Sequence, residues 1–140
     1  MTGNNLRKAD SWLRTARNNL EAARFLANGR FWSLSCFMCQ QAAEKTLNAF
    51  LRAHGETMHG GHGLATLCYR CLEHDPGCGQ LIQACRRLGR YYMPTRYPDA
   101  LGDDVPVECF TAEDASAAIA DAQAIVATVE EKLASLAAGC

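Results

Sequence analysis

No stretch of the chain stays apolar for 18 or more residues, so no segment is long enough to cross a membrane as a helix. The opening residues, MTGNNLRKADSW, lack the apolar core of a secretion signal. Strand-like alternation of apolar and polar residues is missing throughout, which argues against a sheet. Neither sign of charge prevails: the formal net charge is −1. That argues against a protein that coats nucleic acid by bulk electrostatics, so such a role would need a local basic face. Proline is scarce, and three of the four fall in residues 93–110. The expectation is a soluble, cytoplasmic, helical protein with no membrane contact.

The 140 residues make one domain, 1–140, long enough to bury its own core. Eight cysteines are many, but below the density of a disulfide scaffold. Without a secretion signal they read as free thiols.

Apolar periodicity predicts five helices. The first runs from Leu6 to Leu26, with Ala9, Leu13, Ala16, Leu20, Ala23 and Ala27 as its stripe. Arg7, Arg14, Arg17, Glu21 and Arg24 lie on another face, as a solvated surface or a phosphate-binding one. Asn28-Gly29 reads as the stop, with glycine taking the left-handed cap. The second runs from Phe31 to His54, closed by Gly55, and the short connection implies an antiparallel hairpin. Residues 55–63, GETMHGGHG, hold too much glycine for regular structure. A third helix, Leu64 to Glu73, puts Leu64, Leu67, Cys68, Cys71 and Leu72 on one side. After the Asp75-Pro76-Gly77 turn, a fourth spans Cys78 to Tyr92, with Cys78, Leu81, Cys85, Leu88 and Tyr92 as its seam.

Residues 93–110 read as a shaped, ordered loop, longer than a compact bundle needs. Thr111-Ala-Glu-Asp114 is a capping box for a last helix. That helix repeats Ala115, Ile119, Ala122, Val126, Val129, Leu133 and Leu136 to the C-terminus. The fold class is therefore all-α: a five-helix up-and-down bundle with a long ordered loop before the last helix.

The stretch Cys36–Leu51 carries the most information. At 100° per residue, Cys36, Cys39, Ala43, Leu47 and Phe50 form a packing seam. Gln41, Lys45, Asn48 and Arg52 gather on the opposite side, with Glu44 at the edge. Cys36/Cys39 and Cys68/Cys71 are two C-x2-C pairs, a set that suits tetrahedral zinc. Both lie on apolar helix seams without a neighbouring glycine, so buried thiols are the preferred reading and no metal is assigned. His54, His59 and His62 lie close together near Glu56, as a solvated loop or a metal site. If the 93–110 loop folds over the second helix, Arg96 and Tyr97 join Lys45 and Arg52 in a pocket suited to phosphate. The alternative is that Arg96 bonds Glu44 or Asp99 and staples the loop.

QQAAEKTLNAFL on a long second helix, His62-Gly-Leu64 opening the third, and Arg96-Tyr97-Pro98-Asp99 before the last resemble the HEPN domain in order and placement. The resemblance implies a helical bundle that dimerises and often partners a minimal nucleotidyltransferase in a toxin–antitoxin-like pair. It implies nucleotide or RNA binding, for which Gln41, Lys45, Arg52, His62, Arg96 and Tyr97 are the candidates here. Asn48 falls where the family more often has a basic residue. Some branches are metal-independent ribonucleases that share an Arg followed, after four to six residues, by a His. Arg52 and His59 fit that count, with Arg52 holding a phosphate and His59 as acid or base, although they sit earlier than the family presents the pair. Arg70 and His74 are one residue too close. The reading adopted is a non-catalytic bundle without a cofactor; a ribonuclease toxin and a structural interaction module are the alternatives.

Overall fold

A computed structural model describes residues 2–57, 63–91 and 109–139. Its described residues form five α-helices and one 3-10 turn, with no strand among them. The helices are α1 (Gly3–Asn28), α2 (Trp32–Ala53), α3 (Leu64–His74), α4 (Ile82–Gly89) and α5 (Ala112–Gly139).

Thr2 starts α1, its side chain accepting from Asn5 N at 3.1 Å. Ala9, Leu13, Ala16, Leu20 and Ala23 are all buried, as the periodicity predicts. The stop differs from expectation in one respect. Gly29 keeps φ −83°, and Arg30 takes the left-handed position at φ 68°. Phe31 N reaches Leu26 O at 2.8 Å and Arg30 N reaches Ala27 O at 3.0 Å, so the turn is a Schellman motif centred on Arg30. The Arg30 guanidinium lies over the Trp32 ring, 5.6 Å from its centre. At the far end of α2 the same motif recurs on a glycine: Gly55, φ 86°, with Glu56 N on Leu51 O at 3.0 Å.

Across the hairpin Ser35 Oγ donates to Ala23 O at 2.7 Å and Lys45 pairs with Asn19, so α1 and α2 run antiparallel. Helix α2 is central. Fourteen of its residues are buried, from Ser33 to Ala53, because α1, α3, α4 and α5 all pack on it. The predicted two-sided helix is thus enclosed on most of its circumference, and Asn48, assigned to its polar side, is buried with the core.

The predicted fourth helix is in two pieces. Pro76–Leu81 form a 3-10 turn, started by Asp75, whose Oδ1 accepts from Gly77 N at 2.8 Å. Proline and two glycines favour this tighter start, and α4 proper begins only at Ile82. A side chain at Gly77 would collide with Lys132 Nζ, so the glycine makes room for the Lys132–Asp75 ion pair at 2.8 Å. The seam holds across the break: Cys78, Leu81, Cys85 and Leu88 are buried, while Tyr92 lies outside the described residues.

The capping box closes reciprocally. Asp114 N meets Thr111 Oγ1 at 3.1 Å and Thr111 N meets Asp114 Oδ2 at 2.9 Å. Ala118 and Ile125 join the predicted stripe of α5 in the core. The wider stripe follows from packing against α1, α2 and α4 together. Of the predicted 93–110 loop, only Cys109 and Phe110 are described; Phe110 sets its ring edge-on to Tyr91 at 5.6 Å.

Candidate functional site

Gln41, Lys45, Asn48 and Arg52 do share a side of α2, and that side meets α1. Lys45 Nζ donates to Asn19 Oδ1 at 2.7 Å. Asn48 is sealed and donates to Glu44 O at 3.1 Å, so it belongs to the packing. Gln41 Nε2 donates to Gln40 Oε1 at 2.7 Å. Arg52, half-buried, follows Lys45 by seven residues, about 10 Å along the helix. Its guanidinium has neither a hydrogen bond nor an ion pair among the described residues.

Beside Lys45 lies an open cleft of about 330 Å³, lined by Ser11, Trp12, Thr15 and Lys45. Its walls come from α1 and α2. Lysine 45 makes no ion pair among the described residues; its partner is a neutral amide oxygen. Glu44 is close enough for their charges to interact, but burial dominates at Glu44 and pushes its carboxyl above the usual range. The expected companions Arg96, Tyr97 and His62 lie outside the described residues, as does His59 of the alternative Arg52–His59 pair.

A second cluster, at the end of α2, was only half visible in the sequence. The Glu56 carboxylate accepts from Arg70 (Nε at 3.1 Å, and Nη2) on one oxygen and contacts His74 Nε2 with the other. Arg70 and His74 stand one turn apart on α3, so the spacing that fails the nuclease count serves to grip one carboxylate. The His54 ring is held between Phe50 and His74, with centroids 4.5 Å away on each side. Burial, and then the neighbouring His74, hold His54 below its ordinary pKa. Phe50, His54, His74, Asp75, Lys132 and Ser135 are among the residues lining a cleft of about 330 Å³.

The thiols of both C-x2-C pairs, Cys36/Cys39 and Cys68/Cys71, are fully buried, with Cys78 and Cys85 beside them. Cys68 donates to Cys78 O at 3.4 Å and Cys71 to Leu47 O at 3.8 Å. Burial pushes Cys36 and Cys39 up to about 12, the protonated form that core packing needs. Among the described residues, no three Cys, His, Asp or Glu side chains gather as a metal site. The arginine face of α1 is largely neutralised: Arg14 pairs with Asp10 at 2.9 Å, Arg17 with Glu130, and Arg24 with Glu21 at 2.6 Å.

Helix order, the buried α2 and the capped α5 can be set beside known proteins. The sequence profile of the HEPN domain matches residues 9–132. This chain belongs to the HEPN domain family. The match begins at the first buried residue of α1, Ala9, and ends at Lys132 on α5, so it takes in nearly the whole core. Among solved structures, TT1696 from Thermus thermophilus is 36% identical with a TM-score of 0.84; the match covers 89% of this chain and 98% of that one. ST0689, an archaeal HEPN homologue, is 31% identical with a TM-score of 0.74, over 89% of this chain and 97% of the other. No curated protein matches.

Three residues lining this HEPN domain's α1–α2 cleft escaped the sequence reading, Ser11, Trp12 and Thr15, as did Asn19, which holds Lys45 beside it. The signal was present: Lys8, Trp12, Thr15 and Asn19 recur at steps of four and three beside the apolar stripe. No helix among the described residues is long and apolar enough to cross a membrane.

Proposed function

We propose that this HEPN domain is the non-catalytic, homodimeric partner of a minimal nucleotidyltransferase in a toxin–antitoxin-like pair, and that it binds the phosphate of a nucleotide or RNA. The observation that carries the phosphate reading is the state of Lys45. Its ammonium is fixed by Asn19 at 2.7 Å beside an open cleft and makes no ion pair with a carboxylate among the described residues. A lysine so placed is oriented and still able to meet an anion. Arg52, further along the same helix side, adds a second cation with no described partner.

The homodimer is supported by an apolar group where α1 turns into α2. Phe25 is 80% exposed, Phe31 59% and Leu34 45%. Large apolar side chains gathered at one end of a bundle favour a protein contact. Partnership with a nucleotidyltransferase rests on the family resemblance.

The test of phosphate binding is calorimetry with pyrophosphate. Lys45→Ala lowers the affinity about tenfold or more and leaves the melting temperature nearly unchanged, since a hydrogen bond to a charged group is worth about 1.5–3 kcal/mol. Wild-type protein that binds neither pyrophosphate nor short RNA removes the reading. For the assembly, co-expression with a minimal nucleotidyltransferase encoded beside it should yield one complex on size exclusion. Phe25→Glu with Phe31→Glu should halve the mass of the free protein.

A further inference from the structure

We infer that the four thiols on α3, the 3-10 turn and α4 are a redox modification site. A peroxide joins Cys71 to Cys78 and Cys68 to Cys85, and the two disulfides fasten α3 to the segment that follows it.

The first ground is how the sulfurs pair. Cys68 and Cys71 lie on the buried side of α3, which packs on both the 3-10 turn and α4. Cys68 and Cys85 share a hydrogen bond between their side chains, and Cys71 and Cys78 share another. Cys68 Sγ also donates to Cys78 O at 3.4 Å, so the two pairs adjoin. Thiols already side by side on different elements need little movement to form a disulfide. Among the described residues no three metal-binding side chains converge, so these are two pairs rather than a four-thiol metal centre. Cys36 and Cys39 supply the contrast: both are sealed on one helix, α2, and share no such bond.

The second ground is a way in. Sealed thiols are inert, but the cover over Cys78 is thin. Pro76, Gly77, Gly79 and Gln80, its neighbours on the 3-10 turn, are all exposed. The hydrogen bonds of a 3-10 turn are poorer than those of an α-helix, so the turn opens at lower cost. The hydrogen bond from Cys71, with Lys132 nearby, outweighs burial and holds the Cys78 thiol below its ordinary range. The thiol under the thinnest cover is thus the readier nucleophile.

The Cys78 sulfur, its proton lost, attacks one oxygen of hydrogen peroxide. The S–O bond forms, the O–O bond breaks, and the leaving oxygen departs as water. The Cys71 sulfur then attacks the sulfenic sulfur; the S–S bond forms, the S–O bond breaks, and a second water leaves. Two thiols give up two protons and two electrons, and one peroxide takes them. Cys68 and Cys85 consume a second peroxide in the same way.

The full chain carrying Cys109→Ser and Cys140→Ser keeps six thiols. It is treated with hydrogen peroxide, unfolded with an alkylating reagent, and mapped by mass spectrometry without reductant. Four thiols should disappear, as Cys71–Cys78 at the lower peroxide dose and Cys68–Cys85 at the higher, while Cys36 and Cys39 are alkylated in full. Dithiothreitol should restore all six. Cys78→Ser should leave Cys71 reduced and still permit Cys68–Cys85. Six thiols free after peroxide overturn the inference, as do sulfinic acids without a cross-link. Loss of Cys36 and Cys39 as fast as the other four, or a different pairing among the four, overturns it too. The map of the chain with all four thiols in place decides the matter even where Cys78→Ser folds poorly.

Discussion

The basic residues facing α5 and those on the α1–α2 cleft are the same in kind and differ in what they meet. Around α5, Arg17 reaches Glu130, Arg87 grips Asp121 through two hydrogen bonds of 2.9 Å each, and Lys132 closes on Asp75 at 2.8 Å. Each pair joins α5 to another part of the chain and leaves no charge over. On the cleft, Lys45 meets an amide oxygen, and further along α2 the Arg52 guanidinium makes no hydrogen bond or ion pair among the described residues. The first set holds the fold together; the second, on the proposed reading, is where an anion binds. What decides between the two roles is where tertiary packing delivers a carboxylate, which the cations' own spacing does not encode.

The sharpest way to break that contrast is to reverse one charge on each side. Lys45→Glu should abolish measurable pyrophosphate binding while melting stays within a degree or two. Arg87→Glu, which faces Asp121 with a second carboxylate, should lower the melting temperature by several degrees and leave binding intact. If both variants lose the same property, the two sets do not differ.

A smaller effect follows from pH. Folded His54 holds its proton less readily than the unfolded chain, whose value is about 6.5. The unfolded state is therefore protonated first. Stability should be level above about pH 7 and fall as pH drops through 6.5. Thermal melts of wild type and His54→Gln between pH 5 and 8 read this out, with the variant showing the shallower loss. Asp75 is held below its usual range by its hydrogen bond to Lys132, so its contribution is lost only at lower pH, as the carboxylate becomes protonated.

The smallest effect concerns the hairpin. Arg30→Gly relieves a left-handed arginine but gives up the contact with Trp32 and loosens the unfolded chain. The net change should be under about 1 kcal/mol, measured by urea unfolding, with binding unaltered.

The bundle was legible because apolar stripes and caps are local. The steps of four and three along α1 and the Thr111–Asp114 box identify their helices without tertiary help. The left-handed residue slipped by one position because a glycine at the helix end satisfies the pattern whether or not it carries the turn. The Asp75-Pro76-Gly77 turn is legible, but the cysteine–leucine seam conceals that Gly79 carries it on as a 3-10 turn through Leu81, so the fourth helix loses its first turn. The site was half legible. Lys45 and Arg52 could be placed on one side of α2, but the wall facing Lys45 belongs to α1, and Trp12 carried no motif to mark it.

The six sealed thiols give this HEPN domain a built-in clock of its own opening. Cys36 and Cys39 lie on α2, Cys68 and Cys71 on α3, and Cys78 and Cys85 on the 3-10 turn and α4. Among the described cysteines Cys109 alone is exposed, so an alkylating reagent marks it at once. Marks on the six wait for a fluctuation that lets water in. Because the six are shared between the long hairpin and the shorter helices, the order in which mass is added shows which part of the bundle lets go first.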